Sequence, residues 1–338
     1  MTKGTKGAKN PIVKRKVLIG GNERVTYWNG DKYVGELNGN KKDGYGKMFY
    51  HDGSKYLGYF RNDVRHGEGK FWNEDGNMKY DGEFKNNKKH GTGTLYFSDG
   101  YTYEGNFIND VQQGKGKIFD KDGNMKYDGE FKDNKANGQG TVYLNNGYRY
   151  EGECINDVRQ GKGKIFDKDG KIVYNGGFQN NKENGNGTCY YDDGSTYKGG
   201  FINGVRHGEG KFFDKDGKIV YDGEFQNNKA NGKGTLYFID GYTYEGNFIN
   251  NVRQGKGKIF DKNGNMNYNG EFQNNKKHGT GTLYFSNGDR LAASFQDGKP
   301  HGKATHYYRT GGWSDITYNR GEIVNVWHCR RDASTQKK

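Results

Sequence analysis

Apolar and polar residues alternate along this chain in short stretches, and the same stretch returns again and again. Around Tyr103 the text reads YEGNFINDVQQGKGKIFDKDG. In an extended strand Tyr103, Gly105 and Phe107 fall on one face, and Thr102, Glu104, Asn106 and Ile108 on the other. In the following GKGKIF, Gly114, Gly116 and Ile118 share a face, while Lys115, Lys117 and Phe119 share the opposite one. Pairing two such strands lays the rings of the first over the bare glycines of the second, which explains glycines that would otherwise weaken a strand. Asp122-Gly123 is a hairpin-turn signal, so the pattern predicts a β-hairpin.

Copies of this hairpin fill most of the chain. Eleven tyrosines, from Tyr33 to Tyr268, open successive units whose lengths alternate between 23 and 24 residues, so the larger period is 47. Units opening at Tyr103, Tyr150, Tyr197 and Tyr244 carry isoleucine at the sixth position (Ile108, Ile155, Ile202, Ile249), where the units between them carry Lys or Gln. The additional residue of the longer unit follows the DG turn, as in NMKY ending at Tyr127, and predicts a bulge or longer loop once per 47 residues. A fixed period of this size signals a repeat array. The expected fold class is all-β: an elongated, twisted, single-layer antiparallel sheet of stacked β-hairpins. Long open sheets do not stay flat.

The pattern also divides the chain. Residues 1–20 hold Lys3, Lys6, Lys9, Lys14, Arg15 and Lys16 and read as a basic flexible tail, without an apolar run long enough for a signal peptide or membrane span. Residues 21–32 resemble the back half of a unit and are expected to cap the array. Eleven repeats fill 33–290, and a degenerate twelfth spans 291–312, where Leu291, Ala293 and Phe295 replace Tyr, Gly and Phe. Residues 313–338 are expected to form a last hairpin around Asn319-Arg320-Gly321, followed by a tail. Terminal repeats are commonly atypical.

Composition fits an open array better than a globule: 30% of residues are hydrophobic, half of those are aromatic, and 58 glycines stand against 2 prolines. The formal net charge of +13 is spread through the units and favours solubility, or attraction to an acidic surface. Lysines interleave with rings as on a single-strand-binding face, but rings that recur with the hairpin period belong to packing, which disfavours nucleic acid. Cys154, Cys189 and Cys329 are odd in number and far apart, which predicts reduced thiols, an intracellular setting and no zinc site. The DKDG stretches place glycine fourth rather than sixth, so they read as turns and not calcium loops. His66, His90, His207 and His278 occupy a slot that other units fill with Gln, Asn or Asp, so they read as loop residues. No catalytic group, cofactor or metal is expected.

The motif YxGxFxxxxxxGxGxxxxxDG, running in tandem from about Gly21 to Gly311, resembles the MORN (membrane occupation and recognition nexus) repeat. The resemblance implies stacked hairpins with an aromatic-lined groove, as in radial-spoke-head and cytoskeletal scaffolds of the array-only type. Only 27 residues follow Gly311, too few for a kinase or methyltransferase domain. The expected function is a non-enzymatic scaffold or spacer that binds protein partners, or a second copy of itself, in a cytoskeletal or ciliary assembly such as an axoneme. The alternative is a peripheral adaptor for anionic or phosphoinositide-containing membrane. The candidate partner-binding face lies opposite the Tyr/Gly/Phe face and carries Trp72, Tyr96, Phe119, Tyr143, Phe166, Tyr190, Phe213, Tyr237 and Phe260 with Ile108, Ile155, Ile202 and Ile249. A competing expectation is that twist coils the sheet until this face becomes its own core.

Overall fold

Each repeat places a strand of TYEGNFI type before one of GKGKIF type, and the two close as a hairpin through a tight turn that the alternation did not single out. Asn109 and Asp110 form it, with φ of 52° and 74°. Two successive positive φ values are the mark of a type I′ turn, whose twist matches that of the flanking strands, and Asn and Asp tolerate this region better than other side chains. The DG pair sits instead in the five-residue loop to the next repeat. There the Asp120 carbonyl accepts from Gly123 N at 3.0 Å, and its carboxylate accepts from Asp122 N and Asn124 N.

The computed structural model describes residues 13–19 and 22–330. It comprises two compact units, Met1–Lys171 and Ile172–Lys338. The described residues of the first hold strands β1 (Val13–Ile19) to β14 (Val158–Phe166), and those of the second hold β15 (Ile172–Gln179) to β28 (Glu322–Arg330). Within each unit every strand pairs antiparallel with its neighbours in sequence. The chain is all-β, a set of antiparallel hairpins in single-layer sheets.

Register follows the glycines. In the first unit Gly105 of β9 (Thr102–Ile108) lies opposite Gly116 of β10 (Val111–Phe119), with Tyr103 opposite Ile118 and Phe119 opposite Thr102. Toward the next repeat the register shifts by one residue after Ile118, leaving Lys126 extra between Met125 and Tyr127. The same shift recurs at Lys79, Val220 and Asn267, and it is absent where shorter units begin. The expected bulge is therefore present, once per 47 residues.

Two expectations need correction. Of residues 1–20, expected to be a flexible tail, Val13–Ile19 form strand β1 and pair antiparallel with β2 (Asn22–Tyr27). The rest of that tail lies outside the described residues. Gly114 is expected beneath the rings with Gly116, but a register shift between Gln112 and Gly116 takes it out of the pairing with β9, and its partner is Phe131 of the following strand. Its φ is +75°, and the nearest atom to a Cβ built there would be Asn106 Nδ2 at 3.5 Å. Gly114 supplies a left-handed backbone position, not space for a ring.

Candidate functional site

The Tyr/Gly/Phe face is filled by its own rings. Each opening tyrosine lies down over a glycine pair, so that a Cβ on Gly116 would come within 2.4 Å of Tyr103 Cε2. The hydroxyl then donates to the carbonyl three residues on, Tyr103 to Asn106 at 3.0 Å and Tyr197 to Gly200 at 3.1 Å. Each phenylalanine stands edge-on between two tyrosines: Phe107 lies 5.2 Å from Tyr103 and 5.3 Å from Tyr80, both near perpendicular. Cys154 replaces this phenylalanine and is buried, and burial pushes its thiol up to about 11. Arg206 and Arg253 lie over rings of the same face and donate to the turn carbonyls of Asn228 and Asn275. Burial also pushes the hydroxyls of Tyr103, Tyr197 and Tyr244 up to about 12. Rings, hydroxyls and cations on this face are thus engaged within the chain.

The opposite, outer face is less closed, and the structure divides the candidate residues on it into two rows. Phe119 lies opposite Thr102 at the loop end of its hairpin, whereas Ile108 lies opposite Val111 at the turn end. Six residues of strand separate the rows, roughly 20 Å. The isoleucines are the more open: Ile108, Ile155, Ile202 and Ile249 are 52, 42, 46 and 53% exposed. In the ring row Tyr143 and Tyr237 are exposed, while Trp72, Tyr96, Phe119, Tyr190, Phe213 and Phe260 are half-buried. Cations cover several of them: Lys55 Nζ lies 5.0 Å over Trp72, Lys198 Nζ 5.3 Å over Phe213, and the Arg149 guanidinium 4.1 Å over Phe166, which is buried. Sequence reasoning found the rings but missed this cover. The signal was available, since Lys55 and Arg149 sit directly opposite Trp72 and Phe166.

Between the rows runs a charged band. Lys70–Asp81 and Lys117–Asp128 bridge neighbouring strands in the first unit at 2.7 and 3.5 Å, as does Lys211–Asp222 in the second at 2.7 Å. In the second unit this band is hollowed. One hollow of about 810 Å³ is lined by Glu209, Asp222, Lys233, Glu245, Lys256 and Asn269. Another of about 1060 Å³ is lined by Lys256, Asn269, Glu271, Thr280, Thr305 and Trp327. Lys256 and Asn269 belong to both, so the two make one groove, with charges and hydroxyls on the walls and paired glycines, giving way to Ala293 and Ala304, along the floor. The turn edge adds a pattern that the strand reading did not use: Ile108–Val111 and Ile155–Val158 pairs alternate with the Lys132–Lys135 pair. Such an arrangement can bind a polar, extended partner or rest on a charged surface. Among the described residues no group of three or more His, Cys, Asp or Glu is placed to hold a metal ion. Among the described residues no helix is long and apolar enough to cross a membrane.

The sequence profile of the MORN repeat family matches twelve stretches: residues 33–55, 56–78, 80–100, 103–125, 127–147, 150–172, 174–196, 197–219, 221–241, 244–266, 268–290 and 293–313. No curated protein matches. Among solved structures, similarity is found to the SAS-4 TCP domain in complex with a proline-rich motif of Ana2 from Drosophila melanogaster. That chain is 12% identical, with 65% of this chain and 94% of that one covered and a TM-score of 0.19. BamB from Moraxella catarrhalis is 13% identical, with 81% and 85% covered and a TM-score of 0.17. Scores this low carry no argument about function.

Proposed function

The chain belongs to the MORN-repeat family, whose arrays are repeat scaffolds, and from that premise we propose that it holds protein partners along its outer face, without catalysis, in an assembly of the cytoskeletal or ciliary kind. The observation that carries this reading is the recurrence of an exposed isoleucine at the same hairpin position in alternate repeats, beside a face that is already filled. Spaced apolar side chains rimmed by charge are the composition of an interaction surface. Within the first unit Ile108 and Ile155 are four strands apart, roughly 19 Å, so the surface offers a repeated foothold.

Affinity capture from extract of the source cell tests it. Proteins retained by the parent chain should be lost from a variant carrying Ile108→Asp, Ile155→Asp, Ile202→Asp and Ile249→Asp, while its melting curve stays unchanged. An unchanged set of captured proteins would sink the proposal. These isoleucines serve better than Phe119, Phe166 and Phe213, because Phe166 is packed under Arg149 and its loss would disturb folding.

One observation favours a second reading. The turn edge alternates Ile/Val pairs with Lys/Lys pairs, a composition suited to an anionic bilayer surface. Co-sedimentation with phosphatidylcholine vesicles, with and without phosphatidylinositol 4,5-bisphosphate, decides it. Phosphoinositide-dependent binding that falls steeply with salt supports an adaptor role, and equal sedimentation with both vesicles counts against it.

A further inference from the structure

Hairpins of the second unit are stapled to one another at their turn ends by two devices, and one seam has neither. The first device is the turn: Asn228, Asn251 and Asn275 each donate a backbone N–H to the hairpin before, and their Oδ1 accepts from Arg206, Ala230 and Arg253 N at 2.9, 2.7 and 2.9 Å. The second is a cation lying over rings on both sides of the seam, Arg206 over Tyr197 and Phe225, and Arg253 over Tyr244 and Phe272. At the Asn203–Gly204 turn both are missing. Gly204 N donates to the Glu183 carbonyl at 2.8 Å, but glycine has no side chain to accept from Glu183 N. Glu183 lies opposite Phe178 as Arg253 lies opposite Phe248, so a carboxylate stands in the place of the cation. The other seams keep a tie. Ala230 brings no cation, but Asn251 holds its N–H. Gly298 has no acceptor, but Lys277 Nζ lies 4.9 Å over Tyr268, and Lys276 pairs with Asp297 of that turn at 3.4 Å. At Gly321 the neighbouring Arg320 N donates to His301 Nδ1 at 3.3 Å.

We propose that the turn end of the hairpin formed by β17 (Thr196–Ile202) and β18 (Val205–Phe213) is a hinge, which opens from β16 (Lys182–Tyr190) and carries Ile202 with it. Pairing of β16 with β17 runs from Gly185–Phe201 to Tyr190–Thr196, so the loop end stays closed by the ladder. Beyond Gly185 the turn is tied to β16 by the Gly204–Glu183 hydrogen bond alone among the described residues. Segments with few ties open locally without unfolding the rest. Both hairpins beside the seam are also bare on the outer side. Gly177 and Gly200 stand where Glu224 and Glu271 reach across to accept from Lys233 N and Thr280 N, at 3.0 and 3.4 Å. Nothing lies within 4 Å of a Cβ built on Gly185 or Gly208, whereas Glu224 and Glu271 cover Gly232 and Gly279. Ile202 and Val205 flank the hinged turn, and Ile249 and Val252 flank the clamped turn of Asn250 and Asn251. One outer-face isoleucine of this unit is therefore movable and the other fixed.

Native-state hydrogen exchange of the full chain, read amide by amide by NMR, tests the hinge. Gly204 should be protected at least about tenfold less than Asn228, Asn251 and Asn275, although its hydrogen bond is the shortest of the four, 2.8 Å against 3.1, 2.9 and 3.2 Å. Gly298, a turn glycine in a seam that keeps its cation, should be protected like the asparagines. Gly204→Asn supplies the missing acceptor and should raise protection at Ile202 and Val205 by about tenfold. The added side chain has room, since the nearest atom to its Cβ is the carboxylate end of Glu183 at 3.1 Å. Asn251→Gly leaves the Ala230 seam with neither staple and should lower protection at Ile249 and Val252 by a similar factor. Equal protection at Gly204 and the three asparagines overturns the proposal, as does either variant leaving its flanking amides unchanged. Protection at Gly298 as low as at Gly204 overturns it too, because a glycine in the turn, and not the unstapled seam, would then be the cause.

Discussion

Gly116 and Gly114 stand two positions apart in one strand and are needed for different reasons. A methyl group on Gly116 would meet Tyr103 Cε2 at 2.4 Å, and the ring has no other place to lie, because its hydroxyl is tied to Asn106. Gly116→Ala should therefore cost about 1–3 kcal/mol of local stability, as overpacking does. Gly114→Ala meets no such neighbour and should cost about 1–2 kcal/mol, the strain of a left-handed backbone alone. Gly114→Asn should cost less, whereas Gly116→Asn should be worse than Gly116→Ala. Urea titration of the four variants, followed by tyrosine fluorescence, checks the order. Tyr103→Phe, which removes the hydrogen bond and keeps the ring, should lose about 1 kcal/mol. The glycine under the ring was legible in the sequence because side-chain alternation alone puts the two on one face. The purpose of Gly114 was not, because it depends on a register shift that alternation cannot express.

At the scale of the hairpin, what joins one repeat to the next is the second residue of each tight turn. Asn134 donates its backbone N–H to the Gln112 carbonyl at 3.2 Å, and its side-chain Oδ1 accepts from Gln112 N at 2.8 Å. Asp110 does the same with Lys89, and Asp157 with Ala136. The register shift after Gln112 withdraws these backbone groups from the ladder, and the next turn satisfies them. Asn134→Ala loses an acceptor and a side chain suited to φ of 66°, so exchange at the Gln112 amide should rise by at least about tenfold. Amides two repeats away should not change, since arrays couple mainly between neighbours. Protection lost across the whole first unit would contradict this. The bulge at Lys126 could be read from the alternation of 23 and 24 residues, which is a count. The turns escaped because Asn-Asp and Asn-Asn are weaker turn signals than the Asp-Gly pair beside them. The outer rings were found at their positions, but their cations were not, because cover depends on side-chain reach across strands.

For the chain as a whole, the face filled by tyrosines sets how stability responds to alkali. The hydroxyls of Tyr103, Tyr197 and Tyr244 titrate at about 12 in the folded chain, against 10.0 for an ordinary tyrosine, because burial disfavours the phenolate. A pKa raised by folding means that the unfolded chain ionises first. This contribution is therefore complete below pH 10 and lost as pH rises from 10 toward about 12. Thermal melts at pH 8, 10 and 11 should give a midpoint that holds between the first two and falls at the third; a flat midpoint through pH 11 would contradict the buried-ring face. The central claim is that this face builds the array while the other meets partners. Hydroxyl-radical footprinting of the full chain, alone and with its captured partners bound, tests that most directly, since both sides carry exposed apolar residues that report independently. Protection should fall on Ile202, Ile249 and Tyr237 and leave Phe97, Tyr101, Ile239 and Phe285 unchanged. The reverse, with the loops beside the tyrosine face protected and the isoleucines open, would contradict the account.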